Sequence, residues 1–194
     1  GEEGVLAMIC DSTNATRDGV SPSETDVAAT LKELIAKAKG RVCVTTFASN
    51  VARIRAVAEA AAACGREVIA VGRAMDRVIE VARESGFLEG LPEFRSVDVY
   101  GYLPRDKVVA LVTGSQGEPL AALARIADGN HPDITLTPGD QVIFSSRAIP
   151  GNEKAVSHHI NQLIMQGIDV VTDRDALVHV SGHPRRGELE QLYQ

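Results

Sequence analysis

Five short runs constrain this chain more than anything else in it: "RVCVTTF", "EVIAVG", "KVVALVTG", "DQVIFSS" and "DVVTD". Each is mainly apolar and continuous rather than alternating. A strand with one wet face alternates apolar and polar residues; a continuous apolar strand is covered on both faces. Between the runs stand segments with helical spacing: "SNVARIRAVAEAAAACG", "MDRVIEVARESG", "PLAALARIADG" and "NEKAVSHHINQLIMQG". Buried strands in regular alternation with helices predict an α/β fold, a doubly wound, mostly parallel sheet with helices on both faces, Rossmann-like in layout. The longer connection "GLPEFRSVDVYGYLPRD" is predicted to be irregular.

The flanks extend the pattern. In "SPSETDVAATLKELIAKAKG", Ser21 reads as N-cap, Pro22 as the first helical residue and Glu24 as the partner in a capping box. Val27, Leu31, Leu34, Ile35 and Ala38 then form one apolar stripe, closed by Gly40. Upstream, "GVLAMICDST" predicts another apolar strand; downstream, "ALVHVSGHP" predicts a strand running into a glycine turn, and "GELEQLYQ" the first turns of a helix. A chain that opens inside a strand without an initiator Met and stops inside a helix is expected to be an excerpt of a longer protein.

Of the 194 residues 44% are hydrophobic, enough for one sizeable core. The formal net charge is -6 and the basic residues are scattered, so no basic tail grips nucleic acid by charge alone. A local anion pocket of neutral donors stays open, since amides and hydroxyls bind phosphate without changing net charge. Cys10, Cys43 and Cys64 are odd in number and lack C-x-x-C spacing, and Cys10 and Cys43 fall in strand-like runs. A reducing, cytoplasmic home is expected. No apolar stretch approaches the length of a membrane span, so no membrane association is expected.

In an open parallel sheet the ligand crevice lies beyond the carboxyl ends of the strands. The stretches read there are "DSTNAT", "TFASN", "GRAM", "TGSQGEP", "SSRAIPGNE" and "HVSGH". Any one of them is explained by helix capping and turns. Six at one edge point to a pocket for phosphate or another polar anion, aided by helix N-termini. Small motifs do not fit: "TGSQGEP" lacks the first glycine of G-x-S-x-G, and neither G-x-G-x-x-G nor a P-loop is present.

His131 lies in a turn. His158 and His159 lie in a helix whose apolar face is Val156, Ile160, Leu163 and Ile164, so that His159 flanks the core and His158 faces water. His179 and His183 are four apart but not in a helix, and no H-E-x-x-H accompanies them; as a metal site the stretch is incomplete. A histidine beside an acid can instead serve as general acid or base, and Asp11, also at a strand end, is open as a partner for His183.

Taken together, "DSTNA", "TFASN", "GRAM", "TGSQGEPLAALARIA", "GDQVIFSS", "IPGNE" and "HVSGH" resemble, in order and over nearly the whole chain, the β-CASP region of RNase J, a branch of the metallo-β-lactamase superfamily. The resemblance implies an α/β domain inserted into a metallo-β-lactamase domain, with RNA held in the cleft between them. It implies a zinc-dependent hydrolase in RNA processing and decay, a 5′-exonuclease and an endonuclease. By the same resemblance Asp11 and His183 are catalytic, the histidine assisting proton transfer and the acid orienting it. His179, Ser181, Ser145, Ser146 and Asn152 match phosphate-holding groups, and Ser49, Asn50, Ser115 and Gln116 occupy matching loops as RNA contacts. Ala74 stands in "GRAM" where a serine is expected.

The family's zinc ligands belong to an H-x-H-x-D-H motif and to histidines and an aspartate that this chain lacks. Zinc is therefore expected in the full-length protein and not in this chain, which alone is expected to cleave nothing. The expected organisation is residues 1–20 flanking from the metallo-β-lactamase domain, 21–175 as the β-CASP domain and 176–194 returning toward the metallo-β-lactamase domain. RNA, that domain and further copies of the full-length protein are the expected partners. Two other readings fit the residues: a stand-alone Rossmann-like module binding a nucleotide or other phosphate ligand, and a superfamily hydrolase of another substrate.

Overall fold

The computed structural model describes residues 6–193. Two compact units are present: Gly1–Ser23 with Val180–Gln194, and the larger Glu24–His179.

The larger unit is built from α1 (Glu24–Lys37), β1 (Val42–Thr45), α2 (Val51–Ala63), β2 (Glu67–Val71), α3 (Arg73–Glu84), β3 (Val108–Val112), α4 (Ala122–Ala127), β4 (Gln141–Phe144), α5 (Glu153–Met165) and β5 (Asp169–Val171). The five strands form one sheet in the order β2-β3-β1-β4-β5, every pairing parallel. The irregular connection between α3 and β3 holds only two single-turn 3₁₀ helices, Val97–Val99 and Arg105–Lys107.

The continuous apolar runs have the consequence expected of them. Cys43, Ile69, Val71, Ala110, Val142 and Phe144 pack with Leu123 and Ile126 of α4 and with Val156 and Leu163 of α5. Successive side chains of a strand point to opposite faces, and the intervening Val42, Val44, Val68, Ala70, Val109, Leu111 and Ile143 are buried too. The path from β1 through α2 runs toward one edge, whereas the paths through α4 and α5 run toward the other. Right-handed crossovers place helices of opposite travel on opposite faces. Helix α1 packs on α2, burying Val27, Leu31 and Ile35.

Both edges of the sheet are short or guarded. β5 has three residues and begins with an exposed Asp169. β2 is followed on its outer side by Arg95, whose N–H donates to Val68 O at 2.7 Å, in an isolated bridge rather than a sixth strand.

At the amino end of the sheet the fully buried Asp140 accepts from Arg41 N, from Thr137 N and Oγ1, and from Arg105 Nη2 at 2.9 Å. Gly40 is required beside it: a Cβ there would lie 2.5 Å from the Asp140 carboxylate and 2.6 Å from Gly139 O.

Three sequence expectations are corrected. Helix α1 begins at Glu24, so Ser21 and Pro22 precede it; Ser21 N and Oγ instead donate to Glu188. The described part of the predicted opening strand, residues 6–10, is not a strand: Leu6, Met8 and Ile9 are exposed, and so is Cys10. An apolar run becomes a strand only where a neighbour shares its ladder, and no described residue pairs with these. Residues 1–5 of that prediction lie outside the described residues. The stretch 177–181 is likewise no strand, because the Val178 carbonyl is taken by Ser145 Oγ at 2.7 Å and Arg53 Nη1 at 2.7 Å rather than by a ladder.

Candidate active site

In the smaller unit the stretches "DSTN" and "SGH", some 170 positions apart in sequence, are hydrogen-bonded to each other. His183 Nδ1 lies 2.5 Å from Asp11 Oδ2. Asp11 Oδ1 also accepts from Thr13 N at 2.7 Å, closing an Asx turn. Those Thr13 hydrogen bonds, and then the bond to His183, hold the Asp11 carboxyl below the usual carboxylate range. An ionised carboxylate only accepts, so Nδ1 carries the shared proton, and Nε2 of a ring that is half exposed is left for other chemistry.

Asn14 supports this pair. It is buried, and its Nδ2 donates to Ser181 Oγ at 3.2 Å and to His183 O at 3.1 Å. His183 N donates to the same Ser181 Oγ at 3.2 Å. Ser181 thus spends its lone pairs on the turn and keeps its own O–H to donate. A parallel bridge between Asn14 and Arg185 continues the seam, Arg186 N and Gly187 N donate to Arg17 O and Gly19 O, and α6 (Arg186–Tyr193) follows. Sequence reading singled out Asp11, Ser181 and His183 but passed over Asn14, a residue whose only sequence signal is its place three after Asp11 in a polar loop.

In the larger unit the polar strand ends do come to one edge, but most of their side chains are committed there. Gln116 Nε2 donates to Arg147 O at 2.9 Å, and its Oε1 accepts from Ile149 N at 2.8 Å and from Asn152 Nδ2 at 3.5 Å. Gln116 therefore ties the loop after β3 to the loop after β4. Asn50 Oδ1 caps α2 by accepting from Arg53 N, and Ser49 beside it is exposed. Ser145 is buried between the Val178 carbonyl and the Arg53 guanidinium.

Arg53, in the first turn of α2, is fully buried, its guanidinium held by Glu24, Ser145 and the Val178 carbonyl. It makes a forked pair with Glu24, with Nη2 at 2.8 and 3.0 Å from its two oxygens. Sequence reading missed it, since either arginine of "VARIRAV" looks like a solvent-facing residue.

Ser115 and Ser146 line one cleft with Ser157, Asn161, Thr172 and Arg174. Glu153, Asp173 and Asp175 line it too, so carboxylates outnumber the guanidinium in this cleft. The loop Thr172–Asp175 follows β5 directly and lines this cleft, a strand end that sequence reading passes over for "HVSGH" further on. His179 is half-buried with Nδ1 unpartnered, and burial, then Arg53 and Arg147, lower its pKa so that it is neutral at physiological pH.

A structural or catalytic zinc takes three or four protein donors. The Asp11–His183 pair offers two side chains, one of them already bonded to the other, and does not by itself fit a catalytic zinc. What the chain does present is a Rossmann-like parallel α/β unit together with a hydrogen-bonded aspartate–histidine pair.

Comparison with known proteins narrows that class. The family described as Ribonuclease J, beta-CASP domain, matches residues 39–163. The chain is 60% identical over its full length to a ribonuclease J of Sinorhizobium meliloti and covers 34% of it. It is 50% identical over 195 aligned residues to one from Mycolicibacterium smegmatis, covering 35%, and 44% identical to one from Thermus thermophilus, covering 34%. The chain spans about a third of the length of these curated relatives. It belongs to the ribonuclease J β-CASP family.

Proposed function

We propose that this chain is the β-CASP part of a zinc-dependent ribonuclease acting on RNA in the cytoplasm, as 5′-exonuclease and endonuclease, with the zinc held by residues outside the chain. The observation that carries the reading is the 2.5 Å bond between Asp11 and His183. The ionised carboxylate fixes the imidazole with its Nε2 outward, the arrangement a general acid or base needs: an oriented ring, one nitrogen anchored, the other accessible. Ser181, with an O–H to donate beside that ring, supplies a phosphate contact, and Arg185 in the same unit adds positive charge. Within the larger unit Ser49, exposed after β1, is the side chain open to an RNA backbone, whereas Ser115 and Ser146 are buried at the wall of the cleft after β3 and β4 and would meet RNA only if that cleft opened. Gln116, Asn50 and Ser145 shape the loops that carry them.

The test is a kinetic comparison in the full-length protein on 5′-monophosphorylated RNA. His183→Ala should lower turnover by about a hundredfold or more, the range for losing a general acid or base, while RNA affinity changes little. Equal loss of both would reduce His183 to a binding group. A wild-type protein inert on RNA but active on a small ester would overturn the substrate assignment itself.

A further inference from the structure

Away from these residues, the larger unit contains an imidazole with nothing to do. His159, in the middle of α5, is 6% exposed, and both its Nδ1 and its Nε2 are buried without a hydrogen-bond partner. A buried imidazole ordinarily pairs at least one nitrogen, because an unpaired buried polar atom loses its water for no return. Asp128, which ends α4, and His158 lie beside it. One ligating atom from each of the three falls within 4.8 Å of the other two.

Neither neighbour is otherwise engaged. Among the described residues the Asp128 carboxylate makes no hydrogen bond or ion pair, its backbone N–H being spent on Ala124 O. Among the described residues the His158 ring makes no hydrogen bond or ion pair; it stands beside His159, ring centroids 5.6 Å apart and planes tilted by 59°. The three side chains line one recess with Gly117, Pro119, Ala124, Ala155 and Lys154. The two exposed members, Asp128 and His158, are free to turn toward the fixed one.

From this geometry we propose that Asp128, His158 and His159 bind a divalent transition-metal ion of zinc-like character. Two imidazoles and one carboxylate are the donors that suit Zn²⁺, Co²⁺ or Ni²⁺; magnesium and calcium prefer sets made of oxygen. Ligands about 2.0–2.1 Å from a tetrahedral ion stand about 3.4 Å apart, so the cluster must contract modestly around the ion, with His159 as its anchor. The end of α4 favours a cation, since unsatisfied carbonyls give a helix C-terminus partial negative charge. Lys154, one turn before His158 and exposed, opposes the ion unless its long side chain swings outward. The site is independent of the Asp11–His183 pair and needs no part of the proposed reaction.

The experiment is equilibrium dialysis of the full-length protein against a series of buffered free-zinc concentrations, with metal content read by mass spectrometry. Asp128→Asn and His158→Ala are compared with the wild type, both changes being at exposed positions that leave the core intact. Wild type should carry one more zinc per chain than either variant, the extra ion's midpoint moving by about tenfold or more in each, at least the cost of disturbing a supporting residue of a metal site. Equal metal content in all three proteins across the whole series would overturn the proposal. So would loss in one variant with none in the other.

Discussion

A histidine that gives one ring nitrogen to an ionised carboxylate keeps a single nitrogen for chemistry, and what matters then is how firmly the ring is aimed. In this chain the aim depends on Asn14, which touches neither Nε2 nor any group expected to react, but grips both Ser181 Oγ and the His183 carbonyl. It is a positioning residue. Asn14→Ala in the full-length protein should lower kcat while KM moves little, and Asn14→Asp, which keeps one oxygen but loses both donated bonds, should fail to rescue. A change confined to KM would contradict this role. The pair itself was within reach of sequence reading, because an acid after a strand and a histidine in a glycine turn are recognisable residue types. Asn14 was not: what makes it special is a bond across 167 positions, and nothing local in "DSTN" announces the partner.

At the scale of elements, the loop "TGSQG" shows how the strand ends are held. Gly117 has φ of +78°, and a Cβ there would meet Ala155 Cβ at 2.6 Å, so the loop after β3 lies directly on α5. Gly117→Ala adds both a left-handed penalty of about 1–2 kcal/mol and an overlap with α5. The combined loss is expected at about 2–4 kcal/mol, measured by urea denaturation; unchanged stability would mean the loop is not seated as described. The strands and helices were legible because continuous apolar runs and helical stripes are local patterns. The errors sit where a local pattern lacks its tertiary counterpart. "ALVHV" has the composition of a strand, but its carbonyl at Val178 answers to Arg53 and Ser145 instead. Taking it for a strand end hid the loop Thr172–Asp175. The start of α1 was misplaced for a related reason, the hydroxyl of Ser21 being claimed by Glu188 rather than by a helix.

For the whole molecule, titration predicts a one-sided response to acid. His179 and His131 both have lowered pKa values, chiefly through burial, assisted by Arg53 and Arg147 at the first and Arg125 at the second. The unfolded chain takes up these protons before the folded one does, so the stabilisation is complete above the ordinary histidine value of 6.5 and is lost as pH falls from there through the folded values. Asp11, Asp175 and Glu188 have lowered values from hydrogen bonds, so their contributions are lost only at still lower pH, below the ordinary 3.8 and 4.5. Asp76, raised by burial, acts in the opposite sense. Urea midpoints measured over a pH series should therefore decline in two stages. His179→Asn should flatten the first; an unaltered slope would show that His179 titrates normally.

The two sheet edges bear on behaviour at high concentration. A parallel sheet this apolar invites another chain to add itself as a further strand, and long bare edges are where such growth begins. Here one end of the order stops after three residues that open on a charge, and at the other the Val68 carbonyl already receives the Arg95 amide. Neither border offers a full ladder to a stranger, so the sheet is protected against ordered aggregation by the way its margins are finished.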